Sequence, residues 1–135
     1  MNFRSSCYTL YFFFICFVGV GYYTALDFAQ RGARVIIACR NENRAKDAQK
    51  KIMKATGNSN VIYKILDLSS FKSVRKFAKD INDNEGGLDI LVNNAGISGP
   101  GNIITEDGYQ IIMQVNHLSV FLLTHLLLGK YNNYY

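Results

Sequence analysis

Two amides and two small residues end an apolar run in this sequence: Asn93, Asn94, Ala95 and Gly96. The run before them, residues 88–92, is mostly apolar and suited to a buried parallel strand. An asparagine side chain both donates and accepts hydrogen bonds, and the small residues leave room for a flat ligand to approach the backbone. Because ligands of open α/β sheets bind outside the carboxyl ends of the strands, the pattern predicts a strand that ends at a ligand crevice.

A glycine-rich turn precedes the first clear helix and forms a second candidate site: Gly19, Val20 and Gly21. A turn of this kind would place backbone N–H groups and the positive end of a helix against a pyrophosphate. A Gly-x-Gly motif alone is weak evidence and is most often structural. Its position after an apolar run and before a helix favours binding.

Arg40 lies about 20 residues beyond this turn, where an acidic residue of a dinucleotide site would hold the ribose 2′-hydroxyl. The sequence has no acid there, since Cys39 is neutral and Arg40 is a cation. A guanidinium can pair bidentately with a 2′-phosphate, which favours NADP over NAD. The alternative is a solvated arginine that opens the next helix.

Two further polar residues have both a functional and a structural interpretation. Asp67 ends the third predicted strand, so its carboxylate could accept a hydrogen bond from an adenine amino group or cap the helix that follows. Asn116 lies in an apolar helix, where an amide is usually a satisfied core group. The spacing alone does not assign a catalytic role to Asn116.

The elements that must position these residues alternate regularly between helix and strand. Their periodicity and stop signals predict helices at 22–31, 42–56, 71–81 and 106–128, and strands at 34–39, 61–68 and from 88. The lengths suit right-handed crossovers in a parallel sheet. We therefore predict an α/β fold, a Rossmann-type doubly wound parallel sheet truncated to about four strands with flanking helices.

The composition excludes several classes of protein. The chain has 135 residues, 49% of them hydrophobic and 19% charged, which is typical of a globular domain and excludes a disordered or coiled-coil chain. Its net charge of +5 comes mostly from predicted helix faces at 31–44 and 46–54. No aromatic–basic pattern accompanies these charges, so we expect no nucleic-acid partner and interpret them as solvated or as lying near a phosphorylated cofactor.

The cysteines and histidines indicate no special chemistry. The three cysteines, Cys7, Cys16 and Cys39, contain no Cys-x-x-Cys pair, which favours reduced thiols and a cytosol-facing compartment. His117 and His125 are eight residues apart and lack the i, i+4 spacing of helix-borne metal ligands. We expect no metal site.

Residues 1–18 form an apolar N-terminal segment with three interpretations: a membrane anchor or signal peptide, a buried first strand, or sequence foreign to the domain. Residues 5–26 carry no charge. The uninterrupted apolar part is short for a spanning helix, which needs about 20 residues. A signal peptide would need a basic start and a small-residue cleavage site, and only Arg4 suggests either.

Four stretches of the sequence together resemble the short-chain dehydrogenase/reductase family, and within it the retinol dehydrogenase-like members. They are GVGYYTALDFAQRGARVIIACRN, ILDLSS, LDILVNNAG and TEDGYQIIMQVNHLSVFLLTHLLL. The resemblance implies NADP(H)-dependent interconversion of alcohols and carbonyls, often of retinoids or lipid aldehydes. It also implies association with the endoplasmic reticulum membrane as one possible location.

The resemblance also implies roles for individual residues. Gly19 and Gly21 would be the last two glycines of the family's TGxxxGxG turn, and Arg40 would contact the 2′-phosphate. The adenine would contact Asp67 and Leu68, and residues 93–96 would line the adenosine side. Asn116 would match the asparagine of the Asn-Ser-Tyr-Lys tetrad, which holds a water of the proton relay.

The sequence departs from the family pattern at the first glycine and in the catalytic groups. Phe14 and Ile15 stand where the family has threonine and glycine, and a side chain at Ile15 would obstruct the turn and weaken NADP(H) binding. No tyrosine is followed by a lysine four residues later. Without that phenol acid, and without the catalytic serine, we expect this chain to be inactive alone.

Both flanks look foreign to the family, so we predict a partial NADP-binding domain at 19–129 and a non-family tail at 130–135. Our hypothesis is an exon-derived fragment with intron read-through at both ends. Two alternatives to the oxidoreductase remain: a non-catalytic dinucleotide-binding module and a small membrane-anchored protein. We expect an alcohol or aldehyde as the parent's partner, and homo-oligomers or aggregates through an exposed sheet edge.

Overall fold

A computed structural model describes residues 11–15, 19–99 and 101–131. Its strands are β1 (Tyr11–Ile15), β2 (Arg34–Cys39), β3 (Val61–Ile65) and β4 (Ile90–Asn93). Its α-helices are α1 (Val20–Gln30), α2 (Glu42–Thr56), α3 (Phe71–Asn84), α4 (Ile111–Met113) and α5 (Ser119–Leu127). A π-helical turn, Gln114–Leu118, joins α4 to α5, and a 3₁₀ turn, Leu128–Lys130, follows α5.

The four strands form one parallel sheet in the order β3-β2-β1-β4. This confirms the predicted α/β class and the doubly wound parallel sheet. Strand β1 lies between β2 and β4, so five residues of the apolar N-terminal segment belong to the sheet. For Tyr11–Ile15 the structure therefore agrees with the strand interpretation. The predicted thiols Cys7 and Cys16 lie outside the described residues, whereas Cys39 is half-buried and its Sγ accepts a 3.4 Å hydrogen bond from the N–H of Asn41.

Strand β2 is buried on both faces, because alternate side chains of a strand point to opposite sides. Val35 and Ile37 pack with residues of α1 and α2 in one core. Ile36 and Ala38 pack with residues of α3 and α5 in the other. The helices therefore cover both faces of the sheet, which explains why β2 is an uninterrupted apolar run.

Helix α2 has the predicted bounds because a residue at each end stops it. Asn41 adopts an extended conformation and its Oδ1 accepts a hydrogen bond of 3.0 Å from the backbone N–H of Arg44. Gly57 at the other end has φ of 69°, a left-handed conformation that glycine adopts without steric cost. The helix is thus capped at both ends by residues of the expected types.

Five predicted elements have different bounds in the structure. Helix α1 is Val20–Gln30 and not 22–31, and α3 is Phe71–Asn84 and not 71–81. Strand β3 ends at Ile65 and not at residue 68, and β4 begins at Ile90 and not at residue 88. Leu88 instead forms an isolated parallel bridge with Tyr131, and its N–H donates to the carbonyl of Lys130 at 2.8 Å. Two residues of the predicted non-family tail thus contact the end of the loop before β4.

The long apolar helix predicted for 106–128 begins at Ile111, five residues late. Residues 105–108 form a turn in which the N–H of Gly108 donates to the carbonyl of Thr105 at 3.0 Å. Gly108 has φ of 82°, which a helix cannot accommodate. The apolar pattern of the segment does not reveal this turn, so the sequence placed the start of the helix too early.

Candidate dinucleotide site

The carboxyl ends of the four strands meet at one edge of the sheet. Ile15 at the end of β1 lies in register with Ala38 of β2 and Asn93 of β4. Cys39 of β2 pairs with Ile65 of β3. The segments that follow these strands contain every residue predicted from the sequence to bind a cofactor, so the fold brings those segments to one edge, as the sequence predicted.

Gly19 begins helix α1 in a conformation that favours glycine, with φ of 74° and ψ of −127°. The first turn has no side-chain cap and no acidic residue. Its N–H groups, with those of Val20 and Gly21 among them, therefore form a positive helix end that an anion can approach. Gly21 is buried, which lets the first turn pack closely on its neighbours.

Arg40 follows the last residue of β2 and is exposed. Within residues 11–15, 19–99 and 101–131 its guanidinium makes no hydrogen bond or ion pair. Helix α2 is capped by Asn41, so Arg40 does not perform that structural task. A free guanidinium at the carboxyl edge can receive a phosphate in two parallel hydrogen bonds.

An open groove of about 530 Å³ runs from Gly19 between α1 and α2. Its walls include Tyr22 and Tyr23 of α1 and the charged residues Arg44, Asp47 and Lys51 of α2. The groove has the volume of a small-ligand pocket. Two of the cations that the sequence assigned to solvated helix faces therefore lie near the candidate pyrophosphate turn.

Asp67 does not cap helix α3, so that structural interpretation was wrong. Its Oδ1 accepts hydrogen bonds from the N–H of Ser69 at 2.9 Å and from the hydroxyl of the same residue at 2.6 Å. The N-cap is Ser70, whose extended backbone matches that position. The neighbouring Leu68 is buried, and its carbonyl accepts a 2.6 Å hydrogen bond from Ser119 Oγ.

The last residue of β4 bonds to helix α5, and the residue after it bonds back to the strand. Asn93 Nδ2 donates to Thr124 Oγ1 at 3.1 Å, and the N–H of Asn94 donates to the carbonyl of Val92 at 3.1 Å. A Cβ atom added to Gly96 would lie 3.8 Å from the nearest atom, an ordinary contact. The packing of the described residues therefore does not require glycine there.

Asn116 lies in the π-helical turn and is exposed, so it is not a core residue. Its amide is nevertheless satisfied, because Oδ1 accepts from the N–H of Ile97 at 2.8 Å and Nδ2 donates to the carbonyl of Ile97 at 2.9 Å. This pair of bonds fixes the loop after residues 93–96 to the helix. Isolated π turns of this kind are frequent at functional sites.

Buried polar groups near the π turn were missed by the sequence analysis. Gln114 is fully buried, donates from Nε2 to Asp107 Oδ2 at 2.6 Å and accepts from the hydroxyl of Thr105. Asp107 Oδ2 also accepts from the N–H of Phe71 at 2.8 Å. The available signal was the presence of polar residues in an otherwise apolar helix.

A family model described as short chain dehydrogenase matches residues 16–132. The chain belongs to the short-chain dehydrogenase family. This confirms the resemblance on which the sequence analysis relied. The match begins before Gly19 and ends after residue 129.

Two curated relatives of this short-chain dehydrogenase are similar over four fifths of the chain. Retinol dehydrogenase 11 of Mus musculus is 49% identical over 112 residues, which are 83% of this chain and 35% of that protein. Dehydrogenase/reductase SDR family member 13 of Homo sapiens is 47% identical over 82% of this chain and 29% of that protein. The chain thus spans about a third of the length of these relatives.

A crystal structure of an alcohol dehydrogenase from Thermococcus sibiricus, complexed with 5-hydroxy-NADP, matches the fold of this short-chain dehydrogenase. The TM-score is 0.75 at 25% identity, over 90% of this chain and 52% of the other. The comparison supports the Rossmann-type fold and shows that a structural neighbour binds an NADP derivative.

Proposed function

We propose that the protein is an NADP(H)-dependent oxidoreductase that interconverts alcohols and carbonyl compounds, with retinoids or lipid aldehydes as substrates. This chain would supply its dinucleotide-binding part. The relatives named retinol dehydrogenase support the substrate class. The observation that carries the cofactor assignment is the exposed guanidinium of Arg40 at the carboxyl edge of the sheet, which has no partner among the described residues.

The preference for NADP over NAD follows from charge and geometry at the end of β2. NAD sites place a carboxylate there to accept hydrogen bonds from the ribose hydroxyls. Cys39 and Arg40 offer no acceptor of that kind, and a planar guanidinium matches a phosphate bidentately. A 2′-phosphate would find a partner at this edge that a 2′-hydroxyl would not.

The remaining residues are assigned by their positions around the same edge. The first-turn N–H groups of α1, beginning at Gly19, would hold the pyrophosphate, and Asp67 with Leu68 would contact the adenine. Residues 93–96 would line the adenosine side. When bound, the nicotinamide supplies the hydride acceptor or donor. Asn116 would keep its loop in place and hold a relay water through its spare hydrogen-bonding capacity.

We further propose that this chain alone binds the dinucleotide without turning over an alcohol. Its sequence contains no Tyr-x-x-x-Lys motif, and a phenol next to a lysine is the proton-transferring pair that the family resemblance implies. The same observation favours the second candidate, a non-catalytic dinucleotide-binding module. Oxidation of retinol by the purified chain would contradict both statements.

Fluorescence titration of NADPH and NADH against the purified chain tests the proposal. We expect tighter binding of NADPH, and Arg40→Ala should reduce its affinity by about ten- to a hundredfold, the loss of a charge-assisted bidentate pair. Arg75→Ala, which removes an exposed arginine of α3, is the matched control and should change nothing. Ile15→Gly should strengthen the binding of both cofactors.

Three results would contradict the proposal. Equal affinity for the two cofactors, or an Arg40→Ala variant that discriminates like the wild type, would remove Arg40 from the site. No binding by the chain or by Ile15→Gly would leave a cofactor fold without a working cofactor site.

Membrane association is a separate proposal from the uncharged segment 5–26, of which Tyr11–Ile15 form β1 and the residues from Val20 form part of α1. Among the described residues one helical stretch, Ile111–Lys130, is also long and apolar enough to span a bilayer. That stretch packs on α3, with Leu123 and Leu127 fully buried in the core of the fold. Carbonate extraction of membranes from expressing cells tests the association, and full release of the chain would contradict it.

A further inference from the structure

Asn116 and Ser119 belong to one helical segment but bond to two different loops of the sheet edge. Asn116 makes both of its amide bonds to Ile97, in the loop after β4. Ser119, which is fully buried, donates from Oγ to the carbonyl of Leu68 in the loop after β3, at 2.6 Å. The two side chains are only three residues apart.

The two loops belong to opposite edges of the sheet. In the order β3-β2-β1-β4, two strands separate β3 from β4. Adjacent strands lie about 4.8 Å apart, so the loops start roughly 14 Å from each other. A dinucleotide that lies across the carboxyl ends would have these loops as its two walls. The segment with Asn116 and Ser119 is hydrogen-bonded to both of these loops.

The π turn explains how two residues so close in sequence reach different walls. In an α-helix each residue advances by about 100°, so positions i and i+3 lie on the same face. A π turn contains more residues than an α turn, and the angle per residue is smaller. Over Gln114–Leu118 the smaller step spreads the directions of the two side chains apart.

The π turn is itself held by the buried polar cluster at its first residue. Gln114 bonds to Asp107 at 2.6 Å, and Asp107 bonds to the N–H of Phe71 in the first turn of α3, at 2.8 Å. This cluster therefore ties the start of the turn to the first residue of α3, which follows the β3–α3 connection that contains Leu68. Two independent contacts fix the helix relative to that wall.

We propose that Asn116 and Ser119 form a brace that holds the two walls of the dinucleotide crevice at a fixed separation, with Ser119 as the positioning residue for the adenine wall. This inference rests on the proposed dinucleotide function. A wall that is ordered before the ligand arrives saves the cost of ordering it on binding. The brace thus contributes to the affinity for the dinucleotide, although Ser119 is buried and acts only through its bond to Leu68.

The test compares Ser119→Ala with Gln49→Ala. Gln49 Nε2 donates to the carbonyl of Val61 at 2.7 Å, at the amino end of β3, and so provides a side-chain-to-carbonyl bond remote from the crevice. We expect Ser119→Ala to weaken NADPH binding about three- to tenfold, the loss of one buried hydrogen bond. Gln49→Ala should lower the urea midpoint similarly and leave the NADPH affinity unchanged.

Amide hydrogen exchange supplies a readout that does not need the cofactor. The N–H of Ser69 bonds to Asp67 within the adenine wall, and the N–H of Ile97 bonds to Asn116 in the other. Ser119→Ala should accelerate exchange at Ser69 about tenfold, whereas Gln49→Ala should leave both amides unchanged.

Unchanged exchange at Ser69 together with unchanged affinity in Ser119→Ala would overturn the brace. If that variant does not fold, Ser119→Cys, of similar volume with a weaker donor, takes its place and should show a smaller change of the same sign. If the wild-type chain binds no NADPH, the proposed function fails, and exchange at Ser69 alone decides the brace.

Discussion

Glu85→Leu should destabilise the fold strongly and Asp27→Leu should not, although both carboxylates bond to an arginine in the same way. Arg34 Nε and Nη2 donate to the two oxygens of Glu85 at 2.8 and 3.1 Å. Arg31 donates to Asp27 from the same atoms at the same two distances. The pairs differ in burial, because the Glu85 side chain is 4% exposed and the Asp27 side chain 51%.

Burial decides how much unfolding free energy each substitution costs, because a charge that loses its partner in a buried place is poorly solvated. Removing one partner of a buried pair costs about 3–5 kcal/mol, and we expect about 2–3 kcal/mol for Glu85→Leu because Arg34 is partly accessible to water, at 23% exposure. With a urea m-value of about 2 kcal/mol/M, this lowers the midpoint of unfolding by roughly 1–1.5 M. A solvated pair such as Asp27–Arg31 contributes little that urea unfolding can resolve.

Urea unfolding followed by circular dichroism, on the wild type, the two single variants and Arg34→Met/Glu85→Leu, completes the test. The double variant should recover part of the loss, since it removes the arginine together with the carboxylate that it binds, while Lys64 keeps its ion pair with Asp80. Equal midpoints for the Glu85 and Asp27 variants would refute the argument from burial. A double variant as unstable as Glu85→Leu would show that shape, and not charge, governs this position.

Two further predictions concern a helix cap and a carboxyl group. Asn41→Ala should lower the free energy of unfolding by about 1 kcal/mol, because it removes the hydrogen bond to the Arg44 N–H. Asn43→Ala, at the second residue of α2, is the control and should change the urea midpoint much less. The Lys64 ammonium beside Asp80 holds the pKa of that carboxyl below its usual value. Its stabilising effect is therefore present above the unfolded pKa of about 3.9 and lost as the pH falls through the lower folded pKa. The urea midpoint should drop less between about pH 5 and pH 3 in Asp80→Asn than in the wild type, and equal drops would contradict the assignment.

The sequence predicted elements well wherever local signals at both ends agreed with the apolar pattern. Helix α2 has the predicted bounds because Asn41 and Gly57 are residues that stop a helix by their own geometry. Strand β2 also has the predicted bounds, since both of its faces are buried and the apolar run ends with the sheet. Such features depend on residues that are neighbours in the sequence, so they can be predicted from a single sequence.

The sequence failed where turns and side-chain hydrogen bonds, which hydrophobic periodicity does not describe, decide the conformation. The start of the long helix depends on the turn at Gly108, and the π turn that follows depends on Gln114 meeting Asp107. Hydrophobic periodicity predicts neither the turn nor this hydrogen bond. Likewise, both Asp67 and Ser70 are good helix caps by type, and only the backbone angles at Ser70 show which of them caps α3.

The predicted site therefore has two parts of different origin. Its chemistry is local: Gly19, Arg40 and Asp67 follow strand ends, and parallel pairing brings strand ends to one edge. Its shape is not local, because Asn116 and Ser119 fix the two walls from a segment 19 and 51 residues away from Ile97 and Leu68. A substitution of Ser119 would leave Gly19, Arg40, Asp67 and the tetrad asparagine intact and still move a wall of the crevice. For this chain, affinity for a dinucleotide should thus depend on buried polar residues of the last helical segment as well as on the motifs by which the site is recognised.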